Sequence, residues 1–238
     1  MTRQTRQGFL VSAKPGRYTF MVFMLLAYVL ATPLTGTGTV ANRLINVAVI
    51  ATLLAIIRLS WPGHPVQAVA AALGIAAVLP AMGLASGAGT VEVASHAAAI
   101  LFNMIVIGAI LKQVLTTQEV TLDTVIGAAS VYVLIGLLWG GFFVLLAHWL
   151  PDSFTYTTTF GNAPPMSLLP LMRDSFLVYY SFETLTTIGY GDITPGNAPA
   201  RFLSVCEALV GQLYLAVLVA RFVGLQVTHH ASRRGDHD

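Results

Sequence analysis

The most specific chemistry in the sequence is carried by Thr186-Thr187-Ile188-Gly189-Tyr190-Gly191-Asp192. An extended strand turns successive carbonyls to opposite sides, so a segment that points them all one way must alternate between right-handed and left-handed dihedrals. Gly189 and Gly191 permit that alternation, because glycine takes positive φ without steric cost. Four such strands around a common axis would replace the water shell of a dehydrated cation with carbonyl oxygens and the Thr187 hydroxyl. A turn also uses glycine, but it does not need a Thr-Thr-aliphatic-Gly-aromatic-Gly-acid order.

This motif resembles the signature of potassium channels, with Ile188 where valine is commoner. The resemblance runs back through Tyr179-Tyr180-Ser181-Phe182-Glu183-Thr184, similar to the pore helix of bacterial members. It runs forward through Ile193-Thr194-Pro195 into an apolar run carrying Gly211, and covers residues 122 to about 227. It implies an all-α membrane protein of six transmembrane helices, with a re-entrant pore helix and filter loop between helices five and six, assembled as a tetrameric pore. K+ would be held by Thr187, Ile188, Gly189 and Tyr190, with Gly191 completing the filter; K+ is the permeant ion and no cofactor is implied. In such channels the carboxyls corresponding to Glu183 and Asp192 share a proton behind the filter, and Tyr179 and Tyr180 fall among the supporting residues. The residues alone also allow each carboxyl to bond backbone amides instead.

Composition sets the wider frame. With 56% hydrophobic and 9% charged residues, the 238-residue chain has too little polar surface for a soluble globule of its size, so an integral membrane protein is expected. A formal charge of +2 is too slight to argue for nucleic acid. The one cysteine, Cys206, falls in an apolar run and reads as a buried core thiol.

The elements that must position the motif are apolar runs separated by turn chemistry. A polar lead, residues 1–17, carries Arg3, Arg6, Lys14 and Arg17; the run behind it, 18–34, is expected to be a retained membrane helix and not a cleaved signal peptide. Further spans are predicted at about 40–58, 65–85 and 93–115, each near the ~20 residues that a bilayer core requires. Together, residues 18–115 form a four-helix unit. A fifth span, 122–149, ends in His148-Trp149 and offers Gly136 and Gly140 as a small-residue packing face. Residues 150–172 read as a turret, and 174–186 as a pore helix with Arg173-Asp174-Ser175 as cap candidates. Unsatisfied carbonyls at that helix's end, with its dipole, are expected to favour a cation on the axis. The sixth span is predicted at 199–227, closing a pore module of 122–227 and leaving a short cytoplasmic tail, 228–238.

With Met1 in the cytoplasm, Arg3, Arg6, Lys14, Arg17, Arg58, Lys112, Arg221, Arg233 and Arg234 lie inside, and Arg43, Arg173 and Arg201 outside, which satisfies the positive-inside rule. A multi-pass protein of the cell (plasma) membrane with cytoplasmic N- and C-termini is expected.

Gly211 occupies the position where the family carries a hinge glycine; bending and close packing both account for a glycine inside a helix. Helical spacing and the same resemblance mark Gln212, Leu215, Ala216, Val219, Ala220 and Val223 as candidates for a pore-facing stripe and gate. Glu207 reads as a brace towards the pore helix or Arg201. His96 and Asn103 share a face of span four and read as packing glue. His229, His230 and His237 read as residues of a solvated tail, although protonation near pH 6 could push four tails apart. Span four lacks the repeated arginines of a voltage sensor, and no hydrolase or phosphate-loop motif is present.

The expectation is a potassium-selective channel, passive and not an enzyme, whose partners are the lipid bilayer and three further copies of the chain, with neither nucleic acid nor a separate soluble partner. A weakly selective cation channel is the alternative within that class. A non-conducting membrane sensor and a potassium-uptake transporter subunit are alternatives outside it.

Overall fold

The computed structural model describes residues 17–35, 40–60, 65–78, 89–117, 121–157 and 170–235. Among them are seven α-helices: α1 (Arg17–Thr35), α2 (Val40–Ser60), α3 (Val66–Val78), α4 (Gly89–Thr116), α5 (Leu122–Trp149), α6 (Pro170–Leu185) and α7 (Ala198–Gly235). A 3-10 turn at Pro151–Ser153 leads into strand β1 (Phe154–Tyr156), and β2 (Ile193–Pro195) connects α6 to α7. The strands pair antiparallel, Phe154 opposite Pro195 and Tyr156 opposite Ile193.

The helix at the centre is α5, which packs against α1, α4, α6 and α7. It starts where the Thr121 hydroxyl accepts the Thr124 amide at 3.2 Å, with Asp123 complementing the dipole in the first turn. It ends before Pro151, which disfavours helical dihedrals at Leu150. Between these ends nearly every turn is apolar, as a helix buried on several faces requires. Its buried Val131, Leu134 and Ile135 join Met21 and Leu25 of α1, Leu53 and Ile57 of α2, and Val106 and Ile110 of α4 in one core. A second cluster, with Phe143, Phe154 and Tyr180 meeting ring to ring at 5.1 to 5.5 Å, joins α5, β1 and α6.

The expected small-residue face of α5 is present. A methyl at Gly136 would stand 2.7 Å from the Phe182 ring, and one at Gly140 would stand 3.1 Å from the Val178 Cα, so α6 lies almost on the α5 backbone. At one end of the bundle the Tyr18 amide donates to the Asp123 carboxylate at 3.1 Å, and the Tyr18 hydroxyl bonds the Gln113 side chain. This gathers the starts of α1 and α5 with the end of α4. Arg221 of α7 donates to the carbonyls of Thr117 (2.9 Å) and Val114 (3.4 Å), capping α4 from outside.

Helices α4, α5 and the Ala198–Gln226 part of α7 are long and apolar enough to cross a bilayer, and the protein is a membrane protein. The described apolar stretches of the first three helices, Tyr18–Leu30, Asn46–Ala55 and Val66–Ala77, are shorter. Several boundaries differ from expectation. α6 begins at Pro170, where a proline fits the first turn, so Asp174 is not a cap but a residue of the helix body. α7 continues beyond 227 to Gly235 because no residue of 228–234 is a helix breaker, and the backbone of His229 and His230 is therefore helical. The two-stranded pair lies in stretches read as turret and loop. Arg3, Arg6, Lys14, His237 and the predicted continuation of span three from 79 to 85 lie outside the described residues.

Close helix packing makes a prediction. Gly140→Ala is expected to destabilise by about 1–3 kcal/mol, as overpacking against backbone does. Gly108→Ala, where a methyl meets nothing within 4 Å, should be neutral or stabilising by roughly 0.5–1 kcal/mol. Unfolding temperatures in detergent check this, and equal shifts for the two variants would contradict the packing account.

Candidate ion-conduction site

Immediately after α6 the backbone begins to alternate in hand. Thr187, Gly189 and Gly191 take φ of +59°, +56° and +78°, while Ile188 and Tyr190 between them do not have positive φ. That every-second-residue pattern turns successive carbonyls to one side. A methyl at Gly189 or Gly191 would meet nothing within 4 Å, so glycine is required there for the dihedral and not for room. Thr187 joins the pattern without being glycine, a conformation that costs about 1–2 kcal/mol for an L-residue. Residues 186–191 are exposed in the single chain, including the large side chains of Ile188 and Tyr190.

The end of α6 is more fully bonded than expected. Phe182, Thr184 and Leu185 carbonyls accept from the Thr186 amide (3.0 Å), the Thr187 amide (3.0 Å) and the Tyr132 hydroxyl (3.0 Å). The Glu183 carbonyl accepts both Ile188 and Gly189 amides, at 2.9 and 3.3 Å. The last four carbonyls of α6 are thus all partnered, which corrects the expectation of unsatisfied ones; what α6 still offers a cation is its dipole.

Behind the segment, Glu183 is buried, with Oε2 making no hydrogen bond. Tyr179 and Asp192 are the electrostatic neighbours of the Glu183 carboxyl. The Asp192 side chain accepts the Ile193 amide at 3.1 Å. At the far end, Thr157 clamps the segment: its amide and hydroxyl reach the Asp192 carbonyl at 2.8 and 3.0 Å. Tyr180 serves another purpose. Its hydroxyl meets Ser204 of α7 at 2.7 Å, while Ser204 itself donates to the Ala200 carbonyl, so Tyr180 ties α6 to α7.

On α7, Gly211 is buried against the end of α6. A methyl there would lie 2.7 Å from Leu185 Cδ1 and 2.9 Å from the Leu185 carbonyl oxygen, and α7 passes through Gly211 as one helix. Close packing is therefore what the glycine does in this conformation. Gln212, Leu215, Ala216, Val219, Ala220 and Val223 are all exposed. Glu207 is fully buried, with Oε1 2.5 Å from the Ser181 hydroxyl, which also lies 2.7 Å from the Gly136 carbonyl. Glu207 thus braces α6 as expected; Arg201 is turned to the Pro195 carbonyl instead (3.3 Å).

His96 is brought to Asp174 of α6, Nε2 to Oδ2 at 3.1 Å, while the Asn103 carbonyl oxygen is buried with no hydrogen-bond partner. Sequence reasoning missed Thr157, Tyr132, Ser181 and Tyr214, whose hydroxyl donates to the Ala128 carbonyl at 2.6 Å. For the two tyrosines the signal was present as a polar tip inside an otherwise apolar run, which must find a partner when buried.

A family model described as "Ion channel" matches residues 173–226, which take in most of α6, the alternating segment, β2 and α7 to Gln226. Among curated proteins, Protein LctB of Bacillus caldotenax is 42% identical over 62 residues, 26% of this chain and 44% of that protein. Protein LctB of Geobacillus stearothermophilus is 42% identical over 55 residues, 23% of this chain and 39% of that protein. The mouse (Mus musculus) voltage-gated inwardly rectifying potassium channel KCNH7 is 26% identical over 98 residues, 31% of this chain and 8% of that protein. The chain spans less than half the length of each of these relatives. No solved structure matches it significantly. The part of the chain that holds the alternating segment is similar to ion channels.

Proposed function

We propose that the chain is one subunit of a homotetrameric, potassium-selective channel of the cell membrane, crossing six times with both termini cytoplasmic, and that K+ moves through it passively. The observation that carries this reading is the alternation of hand at Thr187, Gly189 and Gly191 at the end of a short helix set between α5 and α7. In this reading the carbonyls of Thr187, Ile188, Gly189 and Tyr190, with the Thr187 hydroxyl, stand in for the ion's water. One chain brings one strand of such a ring, and closed symmetry supplies the others. The exposed Ile188, Tyr190, Leu209, Leu213 and Val217 then face neighbouring copies or lipid. Similarity of 173–226 to ion channels supports the channel; the motif, and a relative whose name is that of a potassium channel, support potassium. Residues 18–115 form a membrane unit beside the pore module, 122–227.

Reconstituted in liposomes, the full chain is expected to pass K+ in preference to Na+, and Gly191→Ala to lose that preference, because a β-carbon resists φ of +78°. Equal K+ and Na+ flux in the wild type would favour a weakly selective pore, and an unchanged preference in Gly191→Ala would remove the filter assignment. Glu183→Ala is expected to shorten the life of the conducting state, since the buried carboxyl beside Tyr179 and Asp192 is lost; current decay under steady voltage measures it, and unaltered decay would show that the buried carboxyl is dispensable.

Opening is expected to depend only shallowly on voltage. Moving one charge through 100 mV is worth about 2.3 kcal/mol and steep gating needs several per subunit, yet the one lysine or arginine of α4 is Lys112, exposed near its end. A steep conductance–voltage curve flattened by Lys112→Gln would contradict this.

A further inference from the structure

We infer that His96 and Asp174 form a proton-binding site that ties the four-helix unit to α6, and that the proton held there sets how firmly α6 is anchored. The inference rests on the channel reading for its effect on flux, but the site itself is independent of that reading. His96 stands on α4 with both ring nitrogens engaged: Nδ1 is 2.8 Å from the Glu92 carbonyl oxygen, and Nε2 is 3.1 Å from Asp174 Oδ2. A carbonyl oxygen only accepts, so Nδ1 carries a hydrogen. A neutral imidazole would then turn the Nε2 lone pair towards a carboxylate oxygen. The contact at 3.1 Å is attractive only when one more proton lies between the two groups. The shared proton thus ties the imidazole of α4 to a carboxyl of α6.

Titratable groups of α1, α4 and α5 face the pair among the described residues. Glu92 comes from α4 itself and His148 from α5, both lining with Val93, Val144 and Leu145 the cleft that opens beside His96. Tyr28 of α1 lies within electrostatic reach of Asp174. The side chains of His96 and Asp174 are 25% and 20% exposed, so the pair lies at the surface of the single chain. In the proposed topology this end of α4 and of α6 faces the outside. The proton is therefore drawn from the external solution. Its binding bridges α4 to α6. Its loss at alkaline pH leaves a lone pair against a carboxylate, and the bridge opens near the N-terminal end of α6, the helix whose other end leads into residues 186–192.

Two measurements on the full chain test this. In 15N-histidine NMR of the detergent-solubilised protein, the His96 ring should show hydrogens on both nitrogens at neutral pH, assigned by loss of the signal in His96→Asn or, should that variant not fold, by its displacement in Asp174→Asn. A His96 ring with a single nitrogen-bound hydrogen at neutral and acid pH overturns the site whether or not the protein conducts. In planar bilayers, K+ current should fall as the pH on the filter side is raised, and the fall should be lost in both His96→Asn and Asp174→Asn. Current that rises instead, or a fall that persists in both variants, overturns the anchoring role. Absence of K+ current at every pH removes the channel reading and leaves the NMR result to decide the site.

Discussion

A peptide segment whose residues alternate in hand builds no hydrogen-bond ladder of its own, so the conformation of residues 187–191 is only as stable as the groups around it. Much of the C-terminal half serves this constraint. At the α6 end, one carbonyl, that of Glu183, receives two successive amides. At the other end Thr157 closes on the Asp192 carbonyl, which makes the small β pair a fastening and explains why two strands of three residues persist beside so many helices. From behind, the buried carboxyl of Glu183 lies beside Tyr179 and Asp192.

Those fastenings work because α6 is held, and it is held by α5. Gly136 and Gly140 let Phe182 and Val178 approach the α5 backbone, Tyr132 reaches the last carbonyl of α6, and Ser181 lies between the Gly136 carbonyl and Glu207 of α7. Apolar contact supplies the area and a few hydroxyls set the rotation of α6 about its own axis. In a membrane, where lipid tails are as apolar as the core, close approach and buried hydrogen bonds are the terms that distinguish one packing from another.

How much of this was legible differs by element. The bounds of α5 agree with the expected span of about 122–149, and in the structure Thr121 caps its start while Pro151 follows its end. The start of α6 was misplaced, since Asp174-Ser175 competes as a cap with Pro170 as a first-turn residue and only packing decides. The β pair is too short for any periodicity to reveal. The hands of Gly189 and Gly191 follow from residue type, whereas that of Thr187 does not, being imposed by the amide-to-carbonyl bonds at the end of α6. His96 was recognisable as a polar group needing a partner, but that partner lies 78 residues away on an element whose boundary was itself misread.

The contact between Gly211 and Leu185 has a mechanical consequence. The backbone of α7 passes so close to the last residue of α6 that no side chain fits between, and the same Leu185 carbonyl is gripped by Tyr132 from α5. A swing of α7 about Gly211 therefore bears on the residue from which the alternating segment departs. In the proposed tetramer, four such contacts would pass any spreading of the α7 helices on to the residue from which each alternating segment departs, as a pivot passes on a load.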